Sequence, residues 1–230
     1  MSIKKKVAIF DIDGTIFRSS LMIELVNEFI KEGIFPKSAE KEYRKSYKRW
    51  LDRTDDYDKY LQDIVATFEK NIVGVKYSDF VKASKKVTGI KKDRVYRYTR
   101  ELIKNLTKQN YYLLAISNSP KEMVENFAKK LGFDKIYGRV YELDSKKRFN
   151  GKIKHLDIIS DKAKVYERAA KREGLTLKGS VGVGDTETDI AFLKLVENPI
   201  CLNPNLILYR YAKRKGWKII VERKDVIYKI

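Results

Sequence analysis

Two aspartates two apart close a short apolar run: Val7-Ala8-Ile9-Phe10 leads into Asp11-Ile12-Asp13-Gly14-Thr15. A run bounded in this way reads as a buried strand with polar groups at its carboxyl end. Of the two carboxylates, one could attack an electrophile while the other moves protons. The plain alternative is an Asp- and Gly-rich turn without chemistry. A second acidic group stands at Gly184-Asp185-Thr186-Glu187-Thr188-Asp189. Asp185 and Asp189 are four apart at a helix start and can face one site, unless Asp185 merely caps that helix. Carboxylates gathered at strand ends repel by roughly 4 kcal/mol per close pair at an effective dielectric of 20. Such a cluster calls for a cation, and oxygen ligands without His or Cys favour Mg²⁺ over zinc or copper.

Two further groups fall between these acids. Ser117 follows an apolar strand predicted over 111–116, and its hydroxyl, with the turn at Asn118, could hold a phosphoryl oxygen. Equally, Ser117-Asn118-Ser119 could be turn and cap residues. Ser119, with Pro120 after it and Glu122 three residues on, has the signature of a helix cap, first-turn proline and capping box. Lys162 and Lys164 open another helix, where a lysine opposes the helix dipole. Such a lysine is usually solvated, or it is a positive charge beside carboxylates and a phosphate.

The elements needed to position these groups can be read from periodicity. Leu21, Leu25, Phe29 and Ile30 recur at helical spacing, as do Tyr43, Tyr47, Trp50 and Leu51, and the stretches 56–70 and 78–87 are amphipathic. Strand signals are nearly absent over 17–90, which predicts an insert of three or four helices. The aromatic residues Tyr43, Tyr47, Trp50, Tyr57 and Tyr60 are expected to fill its core. From Arg94 onward helix and strand alternate. Helices are predicted over 93–109, 120–131 and 161–173, from about 186, and over 205–215; strands over 111–116, 136–143, 152–155, 180–184, 200–202 and 217–221. A turn is expected at Asn150-Gly151. This alternation points to an α/β fold with a doubly wound, Rossmann-like parallel sheet. Residues 1–16 and 91–230 would form the sheet domain and 17–90 the helical insert. Ligands of such sheets gather at the carboxyl ends of the strands, where Asp11 and Asp13, Ser117, Lys162, and Asp185 with Asp189 fall in order.

Composition bounds the rest. The chain has 230 residues, with 50 Lys and Arg against 31 Asp and Glu, a formal charge of +19. Residues 17–90 carry 15 basic and 12 acidic residues, so +16 lies outside the insert. That excess attracts anions: phosphorylated metabolites, nucleic acid or anionic lipid. No stacking motif, zinc finger or recognition-helix signature accompanies it, so a nucleic-acid or lipid partner is not favoured. The single Cys201 excludes an intrachain disulfide and the single His155 excludes a His-rich metal site. No run approaches the roughly 18 apolar residues of a membrane span, and the stretch after Lys4-Lys5-Lys6 is cut by Asp11, so a cytoplasmic protein is expected. Composition says nothing of oligomeric state.

Taken together, the four groups resemble the haloacid dehalogenase superfamily of phosphotransferases. Its motifs are Asp-x-Asp after the first strand, Ser or Thr after the second, Lys at a helix start, and Gly-Asp-x-x-x-Asp after a later strand. All four occur here in order. The helical insert matches the family's C1-type cap domain, and Leu131-Gly132, Gly151-Lys152-Ile153, Asn203-Pro204 and Gly216-Trp217 resemble the phosphoserine-phosphatase-like subgroup. The resemblance implies a Mg²⁺-dependent phosphatase acting on a small phosphorylated metabolite. It implies Asp11 as nucleophile forming an aspartyl-phosphate and Asp13 as acid and base. Ser117, Asn118 and Lys162 would hold the phosphoryl group. Asp11, the Asp13 carbonyl and Asp185 would bind the metal, with Asp189 supporting. Ser20 stands where phosphoserine phosphatases place a glutamate for the substrate's ammonium group, which points away from phosphoserine and leaves Arg18 and Ser20 as candidate specificity residues. Two alternatives stay open: a basic protein that docks on nucleic acid or anionic membrane, and a phosphatase of nucleotides or phospholipids.

Overall fold

The computed structural model describes residues 4–230. In chain order the elements are β1 (Lys5–Phe10), α1 (Leu21–Lys31), α2 (Glu40–Leu51), α3 (Tyr57–Asn71), α4 (Tyr77–Lys91), α5 (Arg97–Lys108), β2 (Tyr112–Pro120), α6 (Lys121–Ala128), β3 (Lys135–Leu143) and β4 (Phe149–Lys154). Then come α7 (Leu156–Ile159), α8 (Lys162–Glu173), β5 (Leu175–Gly184), α9 (Ile190–Leu193), β6 (Asn198–Leu202), α10 (Leu206–Lys215), β7 (Lys218–Arg223) and β8 (Val226–Lys229). The chain divides into two compact units. One comprises the residues up to Arg18 with Asp93–Arg139 and His155–Ile230; the other comprises Ser19–Lys92 with Val140–Lys154.

The first unit is the α/β sheet. Its parallel strands lie in the order β3-β2-β1-β5-β6-β7. Val7, Ala8, Ile9 and Phe10 are all fully buried, as expected of a central parallel strand covered on both faces. The sheet is mixed rather than wholly parallel, because β8, an element without a strong sequence signal, returns antiparallel on β7. Past residue 186 the helix is shorter than expected: a 3₁₀ turn at Glu187–Asp189 and then the four residues of α9.

Two local readings are corrected. Ser119 does not cap a helix: β2 runs on through Pro120, which itself precedes α6, and no side chain caps that helix. The reversal between β3 and β4 falls at 144–148 rather than at Asn150-Gly151. There the Asp144 carboxylate accepts the N–H groups of Lys146 and Arg148, and Lys147 takes a left-handed φ of 56°.

The second unit contains α1–α4 and the antiparallel hairpin of β4 with the second half of β3. Residues 140–154 thus cluster with the helices, although they lie outside the helical segment expected over 17–90 and within the stretch 91–230 expected to form the sheet domain. Aromatic packing gives the reason. Phe29, Phe35, Phe68 and Phe80 are fully buried, and Tyr141 and Phe149 of the hairpin meet Phe68 and Phe80 at ring-centroid distances of 5.3 and 5.1 Å. Tyr43 and Tyr60 are buried as expected, but Tyr47 is 39% exposed. With Trp50 and Tyr57 it lines an open cavity of about 630 Å³ instead of core. Among the described residues no helix is long and apolar enough to cross a membrane.

Candidate active site

The site lies in the sheet unit, where β1, β2 and β5 end. The Asp11 N–H donates to the Val183 carbonyl at 3.0 Å, so the chain leaves β1 still tied to β5. It then turns tightly, with Ile16 and Phe17 donating back to the Ile12 carbonyl. Gly14 makes this turn at a φ of +77°, and a Cβ there would lie 2.0 Å from Asp185 Oδ2. Only glycine accepts both conditions. Thr15, fully buried, donates its hydroxyl to Asp185 Oδ1 at 2.9 Å. Thr15 is therefore a part of the site that motif reading passes over, although it lies only two residues beyond Asp13.

Lys162, 4% exposed, enters from the first turn of α8. Its ammonium donates to Asp11 Oδ1 and to Asp189 Oδ1, each at 2.5 Å. Asp189 Oδ2 accepts the N–H groups of Asp185 and Thr186 at 2.9 and 3.1 Å. Both oxygens of Asp189 are thus committed, one to a cation and one to the backbone. Carboxylate oxygens of Asp11, Asp185 and Asp189 lie within 4.8 Å of one another.

Burial dominates the electrostatics. It pushes the Asp11 carboxyl up to about 7, against the pull of Lys162 and with added repulsion from Asp189 and Asp13. Burial also pushes Asp185 well above the carboxylate range, and the charges of Asp11 and Asp189 add to this. Burial alone would lower the Lys162 ammonium, but Asp11 and Asp189 outweigh it and hold it above the ordinary lysine range. Asp185 has a hydroxyl for partner and, among the described residues, no pairing lysine or arginine. An acid cluster built from oxygen donors and short of positive charge fits a hard divalent cation.

On the β2 side, Asp13 Oδ2 accepts the hydroxyls of Ser117 and Ser119 at 2.7 and 2.8 Å. The structure therefore joins Asp11, Asp13, Ser117, Lys162, Asp185 and Asp189, and adds Ser119, whose local sequence imitates a helix cap. Asn118, half-buried between the serines, makes no side-chain hydrogen bond to the cluster among the described residues. The two expected specificity residues have local partners of their own. Arg18 is exposed, with its guanidinium over the Tyr96 ring at 5.7 Å. Ser20 is the N-cap of α1 and accepts the Met22 N–H at 3.2 Å.

A family model of haloacid dehalogenase-like hydrolases matches residues 8–194, and the chain belongs to that family. Within the family it is similar to phosphoserine phosphatases. It is 25% identical over 229 residues to a phosphoserine phosphatase of Methanocaldococcus jannaschii, covering 98% of this chain and 96% of that one. A phosphoserine phosphatase of Mycobacterium tuberculosis is 31% identical over 130 residues, 55% of this chain and 41% of that protein. Among solved structures, a phospho-aspartyl intermediate analogue of phosphoserine phosphatase superposes with a TM-score of 0.64 at 22% identity, covering 97% of this chain and 96% of that one.

Proposed function

We propose that this phosphatase is a Mg²⁺-dependent phosphomonoesterase for a small phosphorylated metabolite and works through an aspartyl-phosphate on Asp11. The observation that carries the reading is the Lys162 ammonium on Asp11 at 2.5 Å, within a cluster whose third acid, Asp185, makes no ion pair with a lysine or arginine among the described residues. A carboxylate held beside an ammonium can accept a phosphoryl group whose negative charge is neutralised where it arrives.

The Asp11 carboxylate attacks phosphorus and the ester P–O bond breaks. The leaving oxygen takes a proton from the Asp13 carboxyl group. Asp13, now a carboxylate, then takes a proton from a water molecule, and that water oxygen attacks phosphorus. The bond between Asp11 and phosphorus breaks, inorganic phosphate leaves, and Asp13 carries its proton again. Lys162 neutralises the phosphoryl oxygens and Ser117 donates to one of them. Asp11, Asp185 and the Asp13 carbonyl would hold Mg²⁺, which when bound supplies positive charge to the phosphoryl oxygens. Asp189, with both oxygens engaged, orients Lys162 and the 185–186 backbone. Ser20 offers a substrate no carboxylate, and its Oγ already serves α1, so the leaving group need not carry an ammonium.

The test is hydrolysis of p-nitrophenyl phosphate with and without Mg²⁺. Activity is expected only with the metal, and Asp11→Asn is expected to abolish it. Turnover retained in Asp11→Asn overturns the assignment of the nucleophile.

A further inference from the structure

Ser117 and Ser119 are two apart on β2, a spacing that sends both side chains off one face of a strand. Both are buried, at 1% and 4% exposure. Their hydroxyls converge on a single atom, Asp13 Oδ2. The Ser119 N–H in turn donates to Ser117 Oγ at 2.9 Å, which anchors that oxygen while its proton can still turn about the Cβ–Oγ bond. A serine hydroxyl has one proton to give. The proton that Ser117 gives to Asp13 is the same one it must give to a phosphoryl oxygen, and it cannot serve both at once.

We propose that Ser119 is a positioning residue for Asp13: it keeps Oδ2 hydrogen-bonded and the carboxyl group in place when Ser117 turns its proton toward the phosphoryl group. This role rests on the assignment above of Asp13 as proton carrier and Ser117 as phosphoryl ligand. Ser119 thus helps hold the rotamer of the carboxyl group that hands the proton to the leaving group.

Leaving-group dependence separates this role from a structural one. Phenyl phosphate and p-nitrophenyl phosphate have closely similar shapes, but phenolate is the poorer leaving group and depends more on a donated proton. In Ser119→Ala, kcat/KM for phenyl phosphate is expected to fall roughly tenfold or more, as for loss of a hydrogen bond to a charged group, and for p-nitrophenyl phosphate by much less. Ser119→Thr keeps the hydroxyl and is expected to stay within about twofold of the parent on both esters. Ser119→Cys, close in size but a weak donor, should repeat the selective loss and covers the case in which the alanine variant does not fold. An equal loss on both esters, or no loss on either, overturns the proposal. Asp11→Asn is measured alongside. If it is inactive while Ser119→Ala is unselective, only the role of Ser119 fails. If it turns over, the parent reading fails first.

Discussion

At Asp11 desolvation is the strongest influence, and it raises the carboxyl to about 7 despite Lys162. A carboxyl raised on folding binds more protons in the folded than in the unfolded state. Stability of the metal-free protein therefore falls as pH rises from the ordinary carboxylate range, near 3.8, through about 7. Asp185 is shifted the same way. A divalent cation needs both groups ionised, so its binding releases protons and strengthens with pH. Thermal unfolding with EDTA or Mg²⁺ checks this: the metal should raise Tm more at about pH 8 than at about pH 5.5, and Asp11→Asn should reduce the difference. Lys162→Met removes the cation from two buried carboxylates. Breaking a buried pair costs about 3–5 kcal/mol, or a Tm lower by roughly 10 °C in a domain of this size, and turnover should be lost with it.

Single elements carry the site because their ends are fixed. The turn after β1 requires glycine at position 14, where φ is +77° and a Cβ would meet Asp185 Oδ2. Gly14→Ala is expected to lower kcat/KM by roughly 100-fold or more, the scale of a displaced catalytic group, and to weaken the Mg²⁺-induced rise in Tm. Ser20→Ala removes the α1 cap at a cost of about 1 kcal/mol, a few degrees of Tm, with KM for p-nitrophenyl phosphate unchanged. A rise in KM would restore Ser20 as a specificity residue. The strands holding the acids were legible because Val7–Phe10 and the run before Ser117 are continuously apolar, the mark of buried parallel strands. Ser119 was misread for a definite reason: Ser-Pro-x-Glu is a complete local cap signature, whereas its true partner, Asp13, lies 106 residues away. The site order survived single misreadings because four motifs fall in sequence at strand ends. The turn at 144–148 lacks Gly and is marked only by Asp144, a weaker signal than the nearby Asn150-Gly151, and the edge strand β8 lacks a long apolar run.

The whole chain carries a charge of +19 and yet holds a cluster of three acids. Long-range attraction should draw dianionic esters inward and be screened by salt. Between about 20 and about 300 mM salt, kcat/KM for p-nitrophenyl phosphate is expected to fall several-fold while kcat stays constant; a fall in kcat instead would place the salt effect on the chemical steps. The same charge binds RNA or anionic vesicles weakly if it acts only as a field, and that binding should vanish over the same range. The unit built from Ser19–Lys92 and Val140–Lys154 has a different kind of consequence. Its two pieces are separated by α5, β2, α6 and the first half of β3, so a ribosome delivers the four helices well before the hairpin that covers Phe68 and Phe80. During that interval the nascent helices hold an open aromatic seam, and any truncation before residue 149 leaves it open for good. Ser19–Lys92 excised without the hairpin should bind apolar dyes and aggregate, and splicing Val140–Lys154 back on should prevent both.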